Sequence, residues 1–314
     1  MKRAPVAAVV KRVLLTGATG FVGRQAIGPL CDRGYDIHAV SSRPPGDDAP
    51  GVRWHTADLL DHAAAADVVG RVRPTHLLHL AWYAEPGKFW SAPENERWVA
   101  ASRALLDCFA QAGGRRAVVA GTCAEYDWSG DGHCREAVTP LRPTTVYGQA
   151  KATLHAEAAR SYERPGMPTL AWARIFFLYG PWEHPQRLVS SVIGALLDGR
   201  PALCSHGRQV RDFLHVADVA AAFAALLDAD DVTGPVNVAS GQPVTIAELV
   251  GLIGRACGRP ELIELGALPP RPDDPPLLVA AVDRLHAEVG FVPERTLAHG
   301  VASTVDWWRR KRSP

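Results

Sequence analysis

No stretch of this chain approaches the roughly 18–20 consecutive apolar residues of a membrane span. Excess charge is missing too. A net charge of +1 over 314 residues gives no electrostatic case for nucleic acid or an anionic membrane as partner. There are six cysteines and no C-x-x-C pair, which suits the reduced thiols of a cytoplasmic protein better than a disulfide framework. Neither a repeat nor a long low-complexity segment is visible. The opening "MKRAPVAAVVKRVLL" starts basic, but Lys11 and Arg12 interrupt its short apolar run, so no signal peptide is expected. With 47% hydrophobic and 21% charged residues, the composition is that of an ordinary globular protein. The length suits one large α/β domain or two smaller ones sharing a cleft.

What is present is alternation. The apolar run "VLL" (13–15) leads into "TGATGFVG", then a helix-like segment closing at Gly34, then the strand-like "YDIHAV". Further strands are expected at 75–81, 116–121, 169–175 and 235–240, and helices at about 95–112 and from Tyr147 to Arg160. Strands alternating with helices predict parallel βαβ units in an open, doubly wound α/β sheet. After residue 180 the texture changes to turn-rich and Pro-rich segments. The expected division is a dinucleotide-binding domain over 1–180, to which 212–240 returns, and a smaller cap over 181–211 and 241–314.

Gly17, Gly20 and Gly23 follow a strand and open a helix. Bare backbone there lets a pyrophosphate approach the amides, and the helix N-terminus supplies free N–H groups and partial positive charge. The loop residues Thr19, Phe21 and Val22 belong to the same cradle. The second strand ends in "AVSSRPP". Ser41 and Ser42 stand where an acidic residue would grip a ribose hydroxyl, and Arg43 can pair with a 2′-phosphate. NADP(H) is therefore expected over NAD(H). Asp58, with Leu59 beside it, is placed to accept from the adenine amino group.

"TTVYGQAK" sets Tyr147 and Lys151 one helical turn apart. Tyrosine titrates near ~10 and lysine near ~10.4. An ammonium beside a phenol favours the phenolate and lowers its pKa, as would a cationic nicotinamide ring. Tyr147 then serves as general acid or base. Thr122 closes a predicted strand at the crevice where such sheets bind ligands, and its hydroxyl can polarise a substrate oxygen.

"TGATGFVG", "HLAW", "AGTCAEYDW", "YGQAK" and "RDFLHV" together resemble the extended short-chain dehydrogenase/reductases, and most closely their sugar-nucleotide epimerase/dehydratase branch. The resemblance spans nearly the whole chain. It implies a Rossmann fold with a C-terminal substrate-binding cap, and a catalytic triad at Thr122, Tyr147 and Lys151, with Lys151 also holding the nicotinamide ribose. It places Leu80 and Ala81 beside the cofactor. It also implies that Arg211 and Arg271 grip the nucleotide diphosphate, and two arginines suit a dianionic pyrophosphate. Trp82 heads an aromatic stretch with Tyr83, Phe89 and Trp90 that could stack on a sugar or pack under a loop. Arg187 lies where a phosphate or base would be met. The resemblance also implies a homodimer through a four-helix bundle, built from the helices at 95–112 and from Tyr147.

Departures from the branch narrow the reaction. Its 4,6-dehydratases carry acids after the Thr or Ser, where this chain has Cys123 and Ala124. Glu125 is expected on the opposite face. Its 3,5-epimerising members pair a cysteine with a histidine or lysine. Here Cys123 and His184 are both shifted, and Trp182 stands in the expected histidine's place. Two readings remain. The favoured one is NADPH-dependent reduction of a nucleotide-activated 4-keto-6-deoxy sugar. The other is a 4-epimerase, whose branch relatives retain NAD. A sensor that binds cofactor without turnover is disfavoured, because Tyr147 and Lys151 are both present. No metal site is expected.

Overall fold

The structure, a computed structural model, describes residues 10–43, 50–130, 132–269 and 274–312. Its first half alternates strands and helices as the sequence pattern requires. In order come β1 (Arg12–Thr16), α1 (Gly23–Asp32), β2 (Asp36–Ser41), β3 (Val52–Thr56), α2 (His62–Val72), β4 (His76–His79), α3 (Glu94–Gln111) and β5 (Arg116–Thr122). The short β6 (His133–Cys134), α4 (Val146–Tyr162), β7 (Thr169–Ile175) and β8 (Phe177–Tyr179) follow. The rest comprises α5 (Leu188–Leu197), β9 (Ala202–Leu203), β10 (Val210–His215), α6 (Val216–Asp228), β11 (Gly234–Val238), β12 (Pro243–Thr245) and α7 (Ile246–Cys257). After these come β13 (Ile263–Glu264), β14 (Leu277–Ala280), α8 (Asp283–Ala287) and α9 (Leu297–Arg312).

Seven strands form a sheet in the order β11-β7-β5-β4-β1-β2-β3, and every pairing in it is parallel. The order reverses between β1 and β4, which opens a crevice at the carboxyl ends of those strands. Side chains alternate across the sheet with period two. Val13 and Leu15 face a core shared with α1 and α6. Leu14 faces the opposite core, shared with α2, α3 and α4. This is the Rossmann-like α/β architecture expected from the alternation.

A second set of strands, β12-β10-β14-β6 with β8 also on β10, lies beside it. A separate apolar core joins α5, α7 and α9. Asp212 ties these parts together. It is fully buried and accepts from the Ser240 N–H (2.8 Å) and hydroxyl (2.6 Å), the Gly241 N–H (2.9 Å) and the Ala280 N–H (3.2 Å). One carboxylate thus holds β10, the segment after β11 and β14. Asp212→Ala strands these donors in the interior. A loss of roughly 3–5 kcal/mol is expected, read from urea denaturation.

Candidate active site

The loop after β1 is shaped by close backbone approach. Gly17 has φ of 68°, and a Cβ there would sit 2.8 Å from the Ala81 nitrogen. At Gly23 a Cβ would lie 2.1 Å from the Gly17 oxygen. Neither position tolerates a side chain. The Gly20 N–H closes the turn on the Gly17 carbonyl at 2.9 Å. No side chain caps α1; the Arg24 and Gln25 N–H groups bond the Gly20 and Val22 carbonyls at 3.2 and 3.0 Å, and the positive end of the helix dipole lies at this loop. Thr19 and Gly20 are exposed, and Phe21 and Val22 half-buried.

The facing wall is pinned by Thr16. Its hydroxyl accepts from the Leu80 and Ala81 N–H groups at 3.1 and 3.2 Å and shares a proton with His79 Nδ1 at 2.7 Å. His79 Nε2 bonds the Ser102 hydroxyl at 2.8 Å. Burial, then the nearby Lys151 charge, pushes His79 down to about 3, so it stays neutral and structural. At the end of β2, the Ser41 hydroxyl accepts from the Arg43 N–H at 3.3 Å. Ser42 and Arg43 are exposed. Asp58 is also exposed; its carboxylate caps the Leu60 N–H at 3.0 Å, while Leu59 is buried.

Thr122, Tyr147 and Lys151 come together at the carboxyl end of β5. Thr122 is the N-cap of a 3₁₀ turn over Cys123–Glu125, and its hydroxyl accepts from the Ala124 N–H at 3.2 Å. Tyr147 lies in the first turn of α4, whose N-cap Thr145 accepts from the Gly148 N–H at 3.0 Å. Gly148 permits the approach, since a Cβ there would meet the Ala124 oxygen at 2.3 Å. Phe89 and Trp90 stand edge-on to the phenol at 5.0 and 5.8 Å between ring centres.

The phenol's proton affinity departs from expectation. Burial is the larger influence and pushes Tyr147 up, while a hydrogen bond from Thr122 pulls it down. The lysine is engaged elsewhere. Lys151 Nζ donates to the Ala120 carbonyl at 2.8 Å and sits 3.7 Å from the centre of the Trp82 ring. Burial lowers Lys151 to about 7, against an upward pull from Glu125. Trp82 is therefore the floor under the ammonium. Its indole N–H donates to Asn95 Oδ1 at 2.8 Å, and Asn95 in turn donates to the Phe89 and Ala92 carbonyls at 2.8 Å each. A lone Asn in a helical stretch carries no signal for this role, and neither does Gly148.

Behind the site, Glu125 is fully buried. It accepts from the Thr122 N–H at 2.8 Å, from Trp172 Nε1 at 2.9 Å and from Arg174 Nε at 2.8 Å. It does face away from the crevice, but through the 3₁₀ turn rather than strand alternation. Cys123 is sealed among Tyr126, Cys134 and Phe176, and burial pushes its thiol well up. His184 is exposed and accepts from the Gln186 N–H at 3.2 Å. An exposed imidazole and an inert buried thiol do not make the acid–base pair of a 3,5-epimerisation.

On the opposite wall, Arg211 is buried. It pairs with Asp274 at 2.5 Å and donates to the Val210 carbonyl at 2.8 Å, with its guanidinium 5.5 Å from the Phe177 ring centre. Arg187 is exposed and lies 5.2 Å from the Phe89 ring centre. Arg271 lies outside the described residues.

The lysine gives a pH test. An unfolded chain keeps the lysine proton to its ordinary 10.5, whereas the folded chain releases it near 7. Between those values the unfolded state binds more protons, so stability rises with pH. Relative to Lys151→Met, the parent should gain stability as pH climbs from 7 towards 10.5, and the difference should be flat below 7. Urea denaturation of both proteins across that range measures it.

MoeE5 in complex with UDP-glucuronic acid and NAD superposes with a TM-score of 0.84 at 30% identity, covering 96% of this chain and 99% of that one. A probable UDP-glucuronate 4-epimerase of Rhizobium meliloti (strain 1021) is 27% identical over 95% of this chain and 96% of its own length. A dTDP-glucose 4,6-dehydratase of Streptomyces griseus is 28% identical over 96% and 95%. No helix among the described residues is long and apolar enough to cross a membrane. Residues 13–239 match the NAD dependent epimerase/dehydratase family, to which this chain belongs.

Proposed function

We propose that this protein inverts C4 of a nucleotide-activated sugar, using a dinucleotide that stays bound through the cycle. The observation that confines the reaction to C4 is that Tyr147 and Thr122 stand together without a further carboxylate or thiol reaching them, and the likeness to a 4-epimerase then favours inversion. Tyr147 and Thr122 share a hydrogen bond at the crevice, while the two groups that could add a second acid or base, Cys123 and Glu125, are both sealed behind it. Elimination of water needs a further base, as does epimerisation at C3 or C5. Oxidation and reduction at C4 need only one group that takes a proton and later returns it. The likeness to a probable UDP-glucuronate 4-epimerase supports the same reading.

In this reading the bare backbone of Gly17, Gly20 and Gly23 and the uncapped start of α1 fit a pyrophosphate, with Leu80 and Ala81 as the facing wall. When bound, the nicotinamide supplies the hydride acceptor and donor, and its positive charge lowers the phenol's pKa. Thr122 hydrogen-bonds the C4 oxygen, and Tyr147 removes the proton from it. The sugar turns over, so that the returning hydride would meet the opposite face of C4, and Tyr147 gives the proton back to the C4 oxygen. Lys151 orients the nicotinamide ribose from its position over Trp82. Arg211, Arg187 and Arg271 hold the diphosphate from the cap over 181–211 and 241–314. Pairing of two copies through α3 and α4 belongs to the same reading.

One feature favours a second reading, reduction of a 4-keto sugar by NADPH. The end of β2 offers Ser41, Ser42 and an exposed Arg43 in place of an acid, which suits a 2′-phosphate. The likeness to MoeE5 solved with NAD points the other way.

Purified protein incubated with UDP-glucuronic acid or UDP-glucose should give the C4 epimer by NMR, with its bound nicotinamide unconsumed. Consumption of added NADPH with 4-keto-6-deoxy sugar nucleotides, and no epimer, would replace the first reading by the second. Tyr147→Phe should lower kcat by roughly 10²–10⁴ while dinucleotide binding persists.

A further inference from the structure

Among the described residues only two non-glycine residues have positive φ, Arg73 and Trp182. Arg73 ends a helix, where a left-handed residue is ordinary. Trp182, at φ of 71°, is the third residue of a turn closed by the Glu183 N–H on the Gly180 carbonyl at 3.2 Å, a position that glycine normally fills. A bulky side chain adopts this region only when its surroundings over-determine it, and such residues concentrate at clamps and functional loops. The ring is 40% exposed, so core packing is not what holds it.

The turn sets the backbone, and two cations hold the ring. The Arg24 guanidinium lies 4.2 Å from the ring centre and the Lys311 ammonium 4.0 Å. The Trp307 ring stands 5.1 Å away. Arg24 belongs to the first turn of α1 and is bound to the phosphate loop itself. Its Nη2 donates to the Thr19 carbonyl at 2.5 Å and its Nε to the Gly20 carbonyl at 3.3 Å. A chain of direct contacts therefore runs from α9 through Trp182 and Arg24 to the loop. The connection between β8 and α5 that carries Trp182 ends at Arg187, over Phe89, which edges Tyr147. One short connection touches both the phosphate loop and the surroundings of the phenol.

We propose that Trp182 is a positioning residue for the dinucleotide: through Arg24 it clamps the phosphate loop closed on the pyrophosphate and slows cofactor release. This rests on the dinucleotide-binding part of the function proposed above. It supplies what an epimerase requires, a cofactor that outlasts each turnover.

Trp182→Gly is the natural variant, because glycine accepts the left-handed backbone without strain and removes only the ring. Release of bound NADH, chased with excess NAD and followed by nicotinamide fluorescence, should quicken roughly threefold to tenfold, with the association rate little changed. Arg24→Gln reports the same contact from the other side and should act alike. The double variant should release no faster than the faster single one, since both remove one interaction. Variants that bind NADH and release it at the parent's rate would overturn the clamp alone, as would effects that multiply in the double variant. A parent chain that binds no dinucleotide would overturn the dinucleotide-binding reading and the clamp with it.

Discussion

The site depends on a charge pair hidden behind it. Glu125 and Arg174 are both almost wholly excluded from solvent, and their contact is 2.8 Å. A buried charge without its partner costs several kcal/mol, so neither residue can move alone. The pair joins the turn after β5 to the carboxyl end of β7. His155 on α4 adds a third anchor, 3.3 Å from Arg174 and stacked on Trp172. The same carboxylate takes the Thr122 N–H, so the backbone that presents the Thr122 hydroxyl is fixed by the core. Gly121 makes room for this, because a Cβ there would strike Trp172 and Glu125. A residue that the sequence places only on the face away from the crevice is the brace of the wall that carries Thr122.

Burial acts on the two titrating groups of the crevice in opposite senses. It disfavours the charged form of each, raising the phenol and lowering the ammonium. Their proton affinities, close together in water, are driven apart, the phenol upward and the ammonium down to about 7. The Thr122 hydrogen bond offsets part of the phenol's rise. Near neutral pH the lysine is balanced between charged and neutral forms, and the face of Trp82 favours the charged one. A small change in local charge then shifts the lysine's protonation, while the phenol needs a larger one. A positive ring arriving beside them is such a change, and it acts in the direction that proton removal needs.

The alternation of strands and helices, the glycine loop and the Tyr–Lys turn were legible because each is a local pattern with a local cause. The strand at 13–15 appears as Arg12–Thr16 and that at 169–175 as Thr169–Ile175. The support of these residues was not legible. Asn95, Gly148, Arg174 and Trp182 act through partners tens of residues away, and nothing near them in the chain announces those partners. The phenol's balance was misjudged for the same reason. A four-residue spacing shows that Tyr147 and Lys151 share a helix face, but not that the lysine turns to the Ala120 carbonyl or that burial dominates both groups.

Inversion and reduction at C4 use the same proton transfer, so the groups around Tyr147 cannot by themselves distinguish the two. The difference lies in how long the dinucleotide stays. A reductase gains from rapid exchange of spent cofactor, whereas an epimerase loses its half-finished sugar if the cofactor departs. The two ends of the dinucleotide site here give opposing signals. At β2, Ser41 and the exposed Arg43 offer a phosphate partner in place of an acidic grip on the ribose. At α1, a strained tryptophan and two cations secure the loop that would cover the pyrophosphate. Specificity for the 2′ position and retention through the loop are physically separable, because they act on parts of the ligand that different strands hold. A chain can therefore accept a phosphorylated cofactor and still keep it, so the end of β2 is a weaker guide to the reaction than the grip at α1.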